Sequence, residues 1–285
     1  MTFSFETFLA LAGTGFYVLA AVFAVWSLLL AEPRRDRWSL VSLSLGALCL
    51  LGVLSVLVVE AGCVPSFNRF DGLALYVLGL STVYLLVNRH RSTRGVAGIL
   101  FPFLALILLC GITAQGMDPG ASAAIQSPWL VLHVIIGYLA YAVFSLASLN
   151  AAAYLIQDYN MKHKHFGPVW EKLPSLEILD LAMNRLVGVA FLLLTFSVML
   201  GCLLVHQSSS AEQWITDPKV AAVAAAWILF AVLVHMRASS DRHGRGVAIL
   251  TVVGLAFVLF AFVGVHWVSD SVHSFLKVRG GGAGI

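Results

Sequence analysis

Eight apolar runs, at roughly 7–31, 40–60, 72–88, 95–115, 129–156, 186–206, 220–236 and 247–268, decide what this 285-residue chain can become. Crossing the hydrocarbon core of a bilayer as a helix takes about 20 residues. Inside lipid only a helix or a closed barrel satisfies every backbone N–H and C=O group. Barrel strands alternate apolar and polar residues over about ten positions, whereas these runs are continuous Leu, Val, Ala and Phe. The expected fold is therefore all-α: a polytopic membrane helix bundle with about eight transmembrane helices. The 11% of charged residues agrees, being well below the roughly 25% of a soluble domain.

Lysine and arginine give the expected orientation. Arg34, Arg35, Arg37, Arg89, Arg91, Arg94, Lys162, Lys164, Lys172, Arg185, Arg237, Arg242 and Arg245 fall between runs on one side, and only Arg69, Lys219, Lys277 and Arg279 on the other. By the positive-inside rule both termini are extracytoplasmic, in a multi-pass protein of the cell inner (plasma) membrane. The first run lacks a basic n-region and ends in Glu32-Pro33-Arg34-Arg35 rather than at a small-residue cleavage site, so it reads as a retained span. The net charge of +3 follows from this asymmetry and carries no nucleic-acid signal. Residues 1–128 form an N-terminal four-helix membrane half and 129–285 a C-terminal half.

The longest inner connection, 157–185, holds Lys162-His163-Lys164-His165 and then Ser175-Leu176-Glu177. The former reads as a patch facing lipid headgroups, without a carboxylate or thiol partner nearby. The latter reads as the start of a short amphipathic surface helix preceding the sixth span. Cys49, Cys63, Cys110 and Cys202 are scattered without a C-x-x-C pair, which excludes an iron–sulfur pattern and a covalent haem-attachment motif. No Asp, Glu, Lys or Arg lies in the middle of any span, unlike an ion-coupled transporter.

What remains is a layer of histidine and tryptophan. His133, His206, His266 and His273 fall on the expected outer side, framed by Trp129, Trp214 and Trp267; His90, His163, His165, His235 and His243 fall on the inner side. A short polar loop, Gln213-Trp214-Ile215-Thr216-Asp217-Pro218-Lys219, is the most site-like stretch outside the spans. Neutral imidazoles ligate haem iron axially, aromatic rings pack on porphyrin and a polar rim receives propionates. His266 and His273 are seven residues apart, on the order of 10 Å along a helix, too far to share one iron.

Three blocks resemble the cytochrome c assembly family of CcsA/CcmC-like haem-handling membrane proteins, in particular its HemX-like branch. They are Leu132-His133 to Tyr141, Leu173-Pro174-Ser175-Leu176-Glu177 to Gly201, and Trp214 to His235. The resemblance covers roughly 129–275, and the first four runs match only in hydrophobicity. The family's outer loop reads approximately W-x-W-D-P-K-E, with a further tryptophan ten residues after the aspartate. Trp214, Asp217, Pro218, Lys219 and Trp227 stand at those positions, while Thr216 replaces the second tryptophan and Val220 the glutamate.

The resemblance implies that His133 and His273 are the axial ligands of an outer haem, and that His235 belongs to an inner site. Eighteen residues separate Asp217 from His235, a rise of roughly 27 Å along a helix, so two haem stations on opposite sides of the bilayer are expected. The implied function is non-covalent binding of haem b and its presentation for cytochrome c assembly. The implied partners are apocytochrome c and a second assembly subunit; Lys219 is the nearest cation for a propionate. Two alternatives are a HemX-like regulator of haem biosynthesis acting through glutamyl-tRNA reductase, and a structural or haem subunit of a respiratory complex.

Overall fold

The computed structural model describes residues 5–30, 33–61, 64–65, 69–87, 94–113, 124–125, 127–206, 217–238 and 244–260. They form nine α-helices: α1 (Phe5–Leu30), α2 (Pro33–Ala61), α3 (Arg69–Val87), α4 (Ala97–Thr113), α5 (Pro128–Lys162), α6 (Pro168–Lys172), α7 (Leu176–His206), α8 (Pro218–Ala238) and α9 (Arg245–Leu259). Six are long and apolar enough to span a bilayer, and α4 and α9 are shorter apolar helices. Over its described residues each of the eight expected runs coincides with a helix, in a polytopic membrane bundle. The one ladder among the described residues pairs Val64 with Ile125 and Pro65 with Ala124, antiparallel.

Proline sets where several of these helices begin. Its fixed φ and missing N–H suit the first helical turn, where an N–H has no partner within the helix. Ser127-Pro128 opens α5, and the Ser127 carbonyl accepts from the Leu130 and Val131 amides. Gly167-Pro168 opens α6 and Asp217-Pro218 opens α8.

The spans pack as two adjoining rings. In the first, α1 lies on α2 and α4, and both of these lie on α3; in the second, α5 lies on α7 and α9, and both of these lie on α8. Helix α3 packs on α5 and joins the rings, with the Tyr76 and Ser145 hydroxyls 2.5 Å apart across the joint. Phe144 of α5 stacks on Phe230 of α8 at 3.9 Å inside the second ring. Gly254 of α9 is what admits them, because a Cβ there would stand 2.8 Å from Phe144.

Helices α5 and α7, with 35 and 31 residues, are roughly 52 and 46 Å long, well beyond a hydrocarbon core of about 30 Å. Both overshoot at the Lys162 and Leu176 end. One expectation changes here: the stretch headed by Ser175 is not a separate surface helix but the first turns of α7. The Ser175 carbonyl takes the Leu179 amide at 3.1 Å, and the helix runs unbroken to His206. The short helix of this connector is instead α6, held to the first ring where Lys172 donates to Ser27 at 2.8 Å and pairs with Asp36 at 3.5 Å.

Candidate functional site

His133 occupies the second turn of α5, where its ring meets the last three turns of α7. Its Nδ1 lies 2.7 Å from the Ser197 backbone carbonyl, and the Ser197 hydroxyl donates back to the His133 carbonyl at 3.1 Å. A carbonyl oxygen only accepts, so Nδ1 carries the proton and Nε2 of the neutral ring keeps its lone pair. Gly201, one turn beyond Ser197, supplies the floor: a Cβ there would stand 3.0 Å from Cε1 of the ring and 3.3 Å from Nδ1. A partly buried imidazole held in one tautomer, with the far nitrogen available, is the donor an axial position on iron requires.

Asp217 is buried and serves as the N-cap of α8. Its carboxylate accepts the Lys219 amide at 2.7 Å and its carbonyl accepts the Ala221 amide at 3.2 Å, which satisfies donors that an uncapped first turn leaves open. Lys219 follows directly. It is partly buried. His133, Asp217 and Lys219 therefore share one end of the second ring. Trp214 and His273 lie outside the described residues.

Trp227 is held elsewhere. Its indole N–H donates to Thr195 at 2.9 Å and its ring leans on Phe191 at 5.6 Å. Thr195 and Ser197 are two residues apart on α7, roughly 200° around a helix of 3.6 residues per turn. Helix α7 thus stands between the two, with His133 against its Ser197 and Gly201 face and Trp227 against its Phe191 and Thr195 face.

At the opposite end His235 is exposed in the last turn of α8. Beside it, Arg237 is buried and paired with Asp180 of α7 at 3.2 Å. The His-rich patch is exposed at all four residues, but a carboxylate does lie beside it: Lys162 pairs with Asp158 at 2.8 Å, and His163 stacks on Tyr159 at 4.0 Å. These two residues and Arg245 border a cleft of about 290 Å³ between α5 and α9 that does not include His235.

Sequence reasoning missed Ser197 and Gly201, the two residues that hold His133. A serine and a glycine four apart in an apolar run do carry a signal, since small residues mark close helix–helix approach in membranes.

Comparison with known proteins bears on this geometry. The family described as Cytochrome C assembly protein matches residues 67–273. The chain is similar to the Cytochrome c biogenesis protein CcsA of Thermosynechococcus vestitus, with 27% identity over 303 residues covering 91% of each chain. It is also similar to proteins of the same name from Trieres chinensis, with 28% identity over 76% of this chain and 79% of the relative, and from Porphyra purpurea, with 25% identity over 75% and 79%.

Proposed function

This chain belongs to the cytochrome c assembly protein family, and from that membership we propose that it is a multi-pass membrane carrier that holds haem b non-covalently and presents it to apocytochrome c. Haem is cargo here. His133 offers Nε2 to the iron from one side and His273 completes the axial pair. Bis-histidine ligation leaves no open iron position for oxygen. The loop carrying Trp214 covers a porphyrin face, and Asp217 fixes where that loop joins α8.

The observation that carries this reading is the bond from His133 Nδ1 to the Ser197 carbonyl. That bond would satisfy any buried imidazole, but it also leaves the second nitrogen unprotonated and aimed, which an axial ligand needs. Orientation comes from the basic residues: their excess beyond α1, α3, α5 and α8 puts the His133 end on the extracytoplasmic face of a plasma membrane. His235, about 27 Å along α8 from Asp217, then belongs to a second station at the cytoplasmic face. Thioether bonds to the acceptor use the acceptor's own thiols, so this chain's share ends at presentation, alongside a second assembly subunit.

Absorption spectra of the purified protein, oxidised and dithionite-reduced, test this. A low-spin haem b spectrum in the wild type that disappears in His133→Ala and in His273→Ala is the expected result. Wild-type protein that stays colourless after expression with ample haem, or variants that keep the full spectrum, would overturn it.

A further inference from the structure

The cleft between α5 and α9 lies at the end of the second ring opposite His133, and its lining changes character along both helices. On α5 it steps at helical spacing from Lys162 and His163 through Asp158 and Tyr159 to Leu155; on α9 it passes from Arg245, the first residue, to Ile249. About one turn of helix, roughly 5–6 Å, therefore separates the Arg245 cation from the exposed apolar side chain of Ile249. A lipid headgroup layer has a similar depth, since a hydrocarbon core of about 30 Å becomes about 40–45 Å with both headgroup layers included. Further along, the two helices close on each other where the Ser148 hydroxyl donates to the Thr251 carbonyl at 3.0 Å. The cleft thus grades from charge to hydrocarbon over the distance in which a membrane does the same.

Charge decides what such a space takes. Of the described residues that border it, Lys162 and Arg245 are cations and Asp158 is the one carboxylate, so the cleft is net positive. Asp158 is buried and holds Lys162 at 2.8 Å, which uses one of the three ammonium donors and fixes the group beside the cleft. Arg245 brings a planar fork of donors suited to phosphate. Tyr159, stacked on His163, presents a half-exposed ring at the level where membrane proteins place interfacial aromatics. We propose that this cleft is a binding site for one anionic glycerophospholipid, its phosphate received by Lys162 and Arg245 and an acyl chain laid along Leu155 and Ile249. Basic pockets between membrane helices take such headgroups. A volume of about 290 Å³ is at the small end of ligand sites, which suits a headgroup with the first carbons of its chains. Lys164 and His165 do not border the cleft, so the site is narrower than a general attraction of the basic patch to the membrane surface. It stands apart from the haem reading.

Native mass spectrometry of the detergent-purified full-length protein tests this, with phosphatidylglycerol and phosphatidylcholine of the same chains offered in turn and the first bound lipid quantified. Size-exclusion profiles establish that each variant is folded. A lysine or arginine beside anionic lipid is worth about 1 kcal/mol, roughly fivefold, so two cations predict a preference for phosphatidylglycerol of roughly twenty- to thirtyfold. Lys162→Ala and Arg245→Ala should each lower that preference roughly fivefold, and Lys164→Ala should leave it unchanged. Ile249→Trp, which fills the apolar part of the cleft without altering charge, should weaken binding of phosphatidylglycerol. Glycerol phosphate, the same headgroup chemistry without chains, should fail to displace the lipid. A wild type without the preference, or a preference that persists in Lys162→Ala/Arg245→Ala, overturns the proposal. So does an equal loss in Lys164→Ala, which would mean diffuse attraction to the patch, unchanged binding in Ile249→Trp, or displacement by glycerol phosphate, which would mean a site for a soluble phosphate.

Discussion

The Nδ1 atom of His133 lies 2.7 Å from the backbone carbonyl of Ser197, so the orientation of this ring depends on a group that no side-chain substitution removes. Its surroundings can still be changed, and Gly201 is the most sensitive place. A Cβ at position 201 comes within 3.0 Å of the imidazole, so Gly201→Ala must displace the ring slightly and Gly201→Val more. Gly201→Val is expected to cost about 1–3 kcal/mol by overpacking and to weaken haem binding. Gly188→Ala, on the same helix with nothing within 4 Å of the added carbon, should be neutral or stabilising by up to about 1 kcal/mol. Thermal unfolding and haem titration of the two variants check this.

Trp227→Phe removes the indole N–H that Thr195 accepts at 2.9 Å and keeps most of the ring contact with Phe191. Hydrogen bonds between membrane helices average about 0.6 kcal/mol, so a loss of that order is expected in thermal unfolding, with the haem spectrum intact. A shifted Soret band would instead mean that this ring touches porphyrin.

Asp217→Ala removes the cap of α8 and should cost about 0.5–2 kcal/mol of stability. Asp217→Asn keeps an acceptor oxygen for the Lys219 amide and should recover most of it. If the asparagine variant melts like the wild type but binds haem more weakly, the charge of Asp217 serves the ligand site beyond capping.

The pair of Arg237, whose side chain is nearly buried, and the partly exposed Asp180 ties the end of α8 to the start of α7. Removing one partner alone, as in Asp180→Leu, strands a buried charge and should cost about 3–5 kcal/mol. Arg237→Met/Asp180→Leu together should restore much of that loss, as measured by melting temperature and by expression level in membranes.

The spans were legible because lipid leaves the chain one local solution, and continuous apolar stretches announce it. His133 and Asp217 were legible through their motif. That Asp217 caps a helix also follows from Asp-Pro standing before an apolar run. The partners of His133 were not legible: they depend on the register of α5 against α7, which a shift of one residue would change while leaving both runs equally apolar. The same holds for Trp227. Its place in the motif associates it with the loop, but nine residues of helix carry it below Pro218 and onto Thr195. The Ser175 stretch was misjudged for a different reason. Its polar first turns suggested a surface helix, and the structure shows a span that starts early and protrudes.

Because α7 carries His133 on one face and Trp227 on the other, it works as an axle between them. Turning it to release the imidazole from Gly201 also tears the indole from Thr195, so the two contacts open or hold together. A movement of α8 carried through Trp227 therefore reaches His133 by way of the same helix.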